Sequence, residues 1–387
     1  MCFSKTPALS PTGHARPFDK DGDGTILGEG IGSVILKRLE DAERDGDRIY
    51  GVIRGVGTSS DGRGQAVYAP SAKGQMKALV KAYELSGVDP RSVGLVEAHG
   101  TGTKVGDGVE LSALKEIYHA GNPSDQGWCA LGSVKSQIGH TKAAAGIAGF
   151  IKAVLSLHHK VLPPTIKVRA PSPELKASPF YLNFASRPWF KGNHPRRAAV
   201  SAFGFGGSNF HCVLEESEDE KKEMDWTGKQ QLIPFTADSY QGLLNEIQSF
   251  RALWDQWEDR LHPNLLIRRL AAQARLQYIE KQPQRGVAHR LIFVFTADGV
   301  GERVKEKLNK LLTSIPQEEP AGFSQGPGFF YGCGKATGKL AFMFPGQGAQ
   351  YQNMMNDLAC QFPQMFEMIE QGQKCFQALG HSETKLT

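Results

Sequence analysis

Apolar and polar residues follow two rhythms along this chain. Over residues 73–86 the side chains Met76, Leu79, Val80 and Tyr83 recur at i, i+3, i+4 and i+7, which predicts an amphipathic helix ended by Gly87. Short apolar runs predict buried strands at 30–37, 49–55, 181–184, 199–202 and 211–214, with a charged helix over 39–45. Two further runs, 93–96 and 129–131, each open into a glycine-rich turn carrying one histidine, His99 or His140, and a helical stretch follows each turn. Strand, histidine turn and helix, twice over, describe neighbouring βα units of one α/β sheet. The stretch after Thr141, Ala-Ala-Ala-Gly-Ile-Ala-Gly-Phe at 143–150, is small or apolar all round, which predicts a buried helix.

The pattern changes at Glu215. Residues 215–225 form a mixed charge run, read as a solvated linker, and a second small α/β unit follows: strand 232–236, helix 241–257, strand 291–296 and helix 301–312. Residues 317–334 read as a Pro/Gly-rich loop, 339–344 as a buried strand, and the remainder as helix. A length of 387 residues accommodates such a division.

Composition narrows the function classes. A net charge of +5 with dispersed basic residues excludes no soluble role and demands no nucleic-acid partner. Six cysteines without regular spacing fit reduced thiols in a cytoplasmic setting. No apolar run approaches the roughly 20 residues that span a bilayer, so no membrane span is expected.

The chemistry gathers around the two histidine turns, because strand carboxyl ends in open α/β sheets line the edge where ligands bind. Two imidazoles there make a candidate pair for acid–base or electrostatic work. Other motifs carry less. Asp19-Lys20-Asp21-Gly22-Asp23-Gly24 begins like a calcium loop, but the twelfth position is Gly30, so a tight acidic turn is the better reading and no metal is assigned. Gly55-x-Gly57 precedes no helix, and the stretch 334–339 lacks phosphate-loop spacing. Phe203-Gly204-Phe205-Gly206-Gly207 permits close backbone approach to a ligand, with its phenylalanines as candidate channel walls.

Glu97-Ala98-His99-Gly100-Thr101-Gly102-Thr103 with Gly106-Asp107, Lys135-Ser136-Gln137-Ile138-Gly139-His140, and Phe203–Asn209 resemble, in order and spacing, the three C-terminal motifs of β-ketoacyl synthases. The segment 8–32 resembles what precedes them in polyketide and polyunsaturated-fatty-acid-type synthases, and Phe342–Tyr351 resembles the opening of a malonyl-type acyltransferase. The resemblance implies the C-terminal half of a thiolase-like αβαβα fold at 1–215, a linker domain at 216–338 and the start of an acyltransferase at 339–387. It implies decarboxylative condensation of a malonyl-carrier unit with an acyl thioester. The catalytic residues would be His99 and His140, supported by Lys135, Glu97, Thr101, Thr103 and the pocket-lining Phe205, Gly206 and Gly207. Gln347 matches an acyltransferase oxyanion-hole position, and Gln137 stands where asparagine is commoner.

No cofactor is expected to bind directly; the implied phosphopantetheine belongs to an acyl carrier protein partner. Homodimerisation is a family expectation. Two departures stand out. No Asp-Thr-Ala-Cys-Ser-Ser-like elbow occurs, and Cys2, Cys129 and Cys212 do not replace its nucleophile. The acyltransferase Gly-His-Ser-x-Gly elbow is also missing, Gly380-His381-Ser382-Glu383-Thr384 matching it only in part. The chain is therefore expected to need a separate N-terminal ketosynthase half, and to be inactive alone; the rival expectation is a non-catalytic interaction protein that pairs with such a half.

Overall fold

A computed structural model of the chain describes residues 8–62, 69–119, 126–217, 230–281, 289–296, 301–320, 324–326, 328–334, 338–339, 341–343 and 346–379. Cys2 and Gly380–Thr384 lie outside them. Two compact units emerge: 1–225 with 350–387, and 226–349.

In the first unit, helix α1 (Leu39–Asp45) is closed by Gly46 in a left-handed conformation, and strand β1 (Val52–Ser60) follows. Helix α2 (Ala72–Ser86) starts where the Ser71 hydroxyl accepts the Gly74 amide at 3.3 Å, and ends at Gly87, again left-handed. A Cβ on Gly57 would stand 1.9 Å from the Ala78 carbonyl. The Gly55-x-Gly57 spacing thus serves close packing of β1 on α2. Next come β2 (Leu95–Glu97), α3 (Lys104–Tyr118), β3 (Cys129–Gly132), the short α4 (Lys135–Ile138) and α5 (Ala145–His159). Strands β4 (Val161–Leu162) and β6 (Arg187–Pro188) pair as a small ladder. β5 (Phe180–Leu182), β7 (Arg197–Phe203) and β8 (Ser208–Glu215) complete the main sheet.

That sheet has the order β1-β8-β7-β2-β3-β5. β7, β2, β3 and β5 run parallel, while β8 pairs antiparallel with β7 and β1. One face packs Leu79, Tyr83, Leu111 and Leu114 of α2 and α3 over Val96, Leu131 and Ala199; the other packs Ala153 and Leu157 of α5 over Leu95, Ala130 and Val200. α5 buries a single face, Ala145, Gly149, Ala153, Ser156 and Leu157, and leaves Leu155 exposed. Its all-round apolar character therefore does not mean full burial.

The second unit contains β9 (Gln230–Ala237), α6 (Tyr240–Trp257), α7 (Pro263–Lys281), β10 (His289–Thr296), α8 (Gly301–Thr313), β11 (Ser324–Gly326) and β12 (Phe329–Cys333). Its antiparallel sheet, ordered β11-β12-β10-β9, buries Ile233, Phe293 and Tyr331 against Leu243, Trp254, Ile267 and Leu308. Residues 324–326 and 329–333, expected to be loop, pair as antiparallel strands: Phe329 and Tyr331 point inward, Phe330 outward, and Gly328 takes φ +83°. After this unit, α9 (Asn356–Gln361) and α10 (Pro363–Ala378) rejoin the first, where Glu370 accepts from the Arg196 guanidinium at 2.8 Å.

Two expected strands are corrected. Residues 30–37 carry no strand, and Ile31 and Ile35 are fully exposed. A strand needs a neighbour for its amide groups, and no described strand flanks this segment. Instead Gly32 lies so near Ile147 that a Cβ would meet its side chain at 2.6 Å. The described part of the 339–344 run pairs with no strand either, and Phe342 and Met343 face solvent.

Candidate active site

β2 and β3 are adjacent and parallel, so the turns that leave them emerge side by side. Glu97, at the end of β2, locks the two turns together. One carboxylate oxygen accepts the Val134 amide at 2.6 Å, and the other accepts Lys152 Nζ from α5 at 2.8 Å. Beyond Glu97 the backbone curls tightly: Gly100 and Gly102 take φ of +41° and +80°, and a Cβ on Gly100 would stand 2.8 Å from that of Ser133. Two buried acids of α3 hold this curl. Glu110 accepts the His99 and Gly100 amides, each at 2.8 Å, and Asp107 accepts those of Phe18 and Gly102 at 2.8 and 3.1 Å. Thr101 and Thr103 link hydroxyls at 2.8 Å beside them.

His140 follows Gly139, whose φ is +76°. Its amide donates to the Ile26 carbonyl at 2.6 Å, and its carbonyl accepts the Gly28 amide at 3.0 Å. The distant 26–28 segment therefore grips this residue from both sides. The two imidazoles end 5.4 Å apart between ring centroids, at 81° to one another.

Their protonation follows from their neighbours. The Phe203 amide donates to His99 Nδ1 at 3.3 Å, and the Lys142 amide donates to His140 Nδ1 at 3.0 Å. A backbone N–H can only donate, so each neutral ring carries its proton on Nε2. Burial, then the charge of Lys135, drives the His99 pKa well below the ordinary histidine value. The same causes lower His140 to about 4. Both rings are neutral near pH 7. Lys135 is itself buried; desolvation lowers its pKa, against Glu97, Glu110 and Asp107, which favour its charge. Burial also raises Asp107 to about 6 and Glu110 above the usual carboxylate range.

Of the sequence candidates, His99, His140, Lys135, Glu97, Thr101 and Thr103 share one edge of the sheet. Gly206 and Gly207 form the β7–β8 turn, where the Gly207 carbonyl accepts the Asp61 amide at 2.8 Å. The phenylalanine ring packed on His99 is Phe203, with centroids 5.9 Å apart, whereas Phe205 is more than half exposed. Gln347 is exposed and belongs to the second unit. Cys129 and Cys212 lie in strands; burial pushes the first thiol well up and the second to about 12. His211 is buried, its Nδ1 3.0 Å from the Ser201 hydroxyl. Asp19 accepts the Asp21 and Arg169 amides, and Asp23 accepts the Ser10 and Thr12 hydroxyls, so these acids brace loops.

Sequence reasoning missed Glu110 and the 26–28 grip, gave Asp107 no role beyond its place in the motif, and singled out Phe205 where Phe203 is the ring on His99. The acids had a signal: two carboxylates three residues apart, one turn into a helix that follows a glycine-rich bend.

Residues 50–169 match the β-ketoacyl synthase C-terminal domain, residues 171–288 the ketoacyl-synthetase C-terminal extension, and residues 1–42 the β-ketoacyl synthase N-terminal domain. In an alignment of 396 positions the chain is 38% identical to one polypeptide of the polyunsaturated fatty acid synthase of Thraustochytrium sp., covering 95% of this chain and 14% of that protein. It is 46% identical over 225 residues to polyketide synthase PksL of Bacillus subtilis, covering 57% of this chain and 5% of that one. Among solved structures, the ketosynthase from module 6 of the Bacillus subtilis bacillaene synthase aligns with a TM-score of 0.55 and 34% identity, covering 86% of this chain and 54% of that one. An oxazolomycin ketosynthase domain of Streptomyces albus aligns with a TM-score of 0.54 and 30% identity, covering 86% and 54% respectively. The chain spans about half the length of these solved ketosynthases and a small fraction of the curated synthases. It carries the C-terminal domain of a β-ketoacyl synthase together with its C-terminal extension, homologous to the thiolase-like ketosynthases of polyketide and polyunsaturated fatty acid synthases.

Proposed function

We propose that this chain supplies the two-histidine half of a condensing site that extends a polyketide or fatty acyl chain. The observation that carries the reading is the histidine pair: adjacent neutral rings, each with Nδ1 taken by a main-chain amide and each with a proton on Nε2. Two such donors suit the oxygen of one thioester. In a malonyl thioester the bond to the carboxylate breaks, carbon dioxide leaves, and its electron pair passes into the carbonyl as an enolate. The Nε2–H groups stabilise that oxygen, work that preorganised donors do well in a water-poor site. The α-carbon then bonds to the acyl carbonyl carbon, and a cysteine thiolate departs.

The cysteine would come from an N-terminal ketosynthase half, and the malonyl unit from an acyl carrier protein bearing phosphopantetheine. Lys135 holds the local charge balance and Glu97 the spacing of the turns. Phe205, Gly206 and Gly207 border the acyl channel, with Phe203 nearer the chemistry. Residues 216–338 serve as the linker to an acyltransferase beginning at 339, where Gln347 takes its oxyanion-hole role. The parent synthase would be a cytoplasmic homodimer.

The test combines the purified chain with a separately produced ketosynthase half carrying the cysteine elbow, and follows carbon dioxide release and condensation from malonyl carrier protein. The mixture should condense, and His99→Ala or His140→Ala should each lose at least about 100-fold. Variants as active as the parent would overturn the assignment. Alone, the chain should take no acyl group. Labelling by an acyl thioester that vanished on mutating one of its own cysteines would show that it needs no second half.

A second reading, a non-catalytic protein that pairs with a ketosynthase half, draws on the exposed apolar row Ile31, Ile35 and Leu36. Pairing without carbon dioxide release would favour it.

A further inference from the structure

In the second unit, His289 at the start of β10 faces Cys333 at the end of β12 directly across the antiparallel ladder. Directly opposed residues project to the same face, and here His289 Nε2 lies 3.7 Å from Cys333 Sγ. A tetrahedral zinc ion with bonds of about 2.1 Å to nitrogen and 2.3 Å to sulfur holds those two atoms about 3.6 Å apart. The pair thus already stands at ligand spacing, on two rigid strands. Glu319, in the segment after α8, brings a carboxylate oxygen to 3.6 Å from His289 Nδ1. The three residues offer ligand atoms within 4.8 Å of one another, and they are the sole such group among the described residues.

The far side of the imidazole is braced as well. Tyr331 Oη lies 2.9 Å from His289 Nδ1 and donates to Glu319 at 3.3 Å. A proton on Nδ1 directed at the tyrosine oxygen leaves the Nε2 lone pair turned toward the sulfur. Metal-bound histidines are oriented this way by outer hydrogen-bond partners. His289 and Tyr331 are buried, whereas Glu319 is exposed, so the site opens to solvent on its carboxylate side.

We propose that His289 Nε2 and Cys333 Sγ bind a thiophilic divalent cation, zinc by preference, with the exposed Glu319 carboxylate turning from the Nδ1 side to serve as third ligand and water in the fourth position. A thiolate beside an imidazole favours zinc over magnesium or calcium. Binding releases the Cys333 thiol proton to solvent, so affinity falls as pH falls. The bound ion would tie together the ends of β10 and β12 and the segment after α8. No sequence spacing announces it, because the histidine and cysteine are 44 residues apart and meet through strand register.

The test strips the full chain with a chelator and titrates it with cobalt(II), then zinc. One equivalent of cobalt should produce a thiolate-to-cobalt charge-transfer band that zinc abolishes, and zinc should raise the thermal midpoint. Cys333→Ser should lose both effects while keeping the parent circular dichroism spectrum. Should that change disturb the sheet, Glu319→Gln, a surface substitution, serves instead: zinc affinity measured against a chromophoric chelator should drop at least about tenfold. No band in the parent, a band retained by Cys333→Ser, or an unchanged affinity in Glu319→Gln would each overturn the proposed site.

Discussion

His99 and His140 stand at the same edge of one sheet, yet different parts of the chain hold them. The backbone at His99 is fixed by its own βα unit: the amides of His99 and Gly100 bind Glu110, a residue on the helix that follows. His140 is fixed by main chain from more than a hundred residues away, through the Ile26 carbonyl and the Gly28 amide. A local anchor uses side-chain charge inside a buried turn. A distant anchor uses backbone hydrogen bonds and close approach, and it transmits any shift of the 26–28 segment to the ring.

The largest expected effect tests the local anchor. Glu110→Ala leaves two buried amides without an acceptor, each costing about 1–3 kcal/mol. The first unit should lose about 4 kcal/mol, read from the urea midpoint. Glu110→Gln keeps one acceptor oxygen and should lose roughly half as much. Equal losses in the two variants would place the carboxylate's value in its charge, whereas no loss in Glu110→Ala would show that the turn holds without this acceptor and would break the contrast between the two anchors.

The distant anchor should fail differently. A Cβ on Gly28 would stand 2.1 Å from the Ile138 carbonyl oxygen, backbone that no side-chain rotation can clear. Gly28→Ala should cost about 3 kcal/mol, as overpacking does, and should push the 138–140 turn outward. By proton NMR the His140 titration should rise from about 4 toward the ordinary histidine value, while His99 stays low. If both rings move together, the two anchors are one structure.

What could be read in advance follows the same division. β2, β3, α2 and the histidine turns were legible because their apolar spacing, glycines and caps are local. The acids on α3 were within reach, as they lie on the same unit as His99. The grip on His140 was not, because Ile26 and Gly28 act through main-chain atoms, which side-chain chemistry does not advertise. Residues 30–37 misled because an apolar run reads as strand whether or not a partner strand lies beside it. The β11–β12 pairing was hidden by glycine and proline content, although inward Phe329 and Tyr331 alternate with outward Phe330. α7 escaped notice because arginines interrupt its apolar face of Leu266, Ile267, Leu270 and Ala274.

The smallest predicted effect separates the rings from the acids that surround them. Folded His140 takes a proton only near pH 4, and an unfolded histidine takes one near 6.5. Between these limits the unfolded chain holds more protons, so this residue makes stability fall as pH falls from 6.5 to 4. Asp107 acts in the opposite direction: raised to about 6, it keeps its proton in the fold where an unfolded aspartate has lost it, and favours the fold on the acid side. The two slopes oppose one another in the parent chain. His140→Gln removes the first and leaves the second, so the variant should lose less stability than the parent between pH 6.5 and 4. The full shift corresponds to about 3 kcal/mol, and solvent screening at this partly open ring reduces the expected difference to about 2. Urea midpoints of both proteins across that range measure it. Parallel curves would mean that His140 titrates alike in folded and unfolded chains, and that burial and the Lys135 charge do not hold its pKa down.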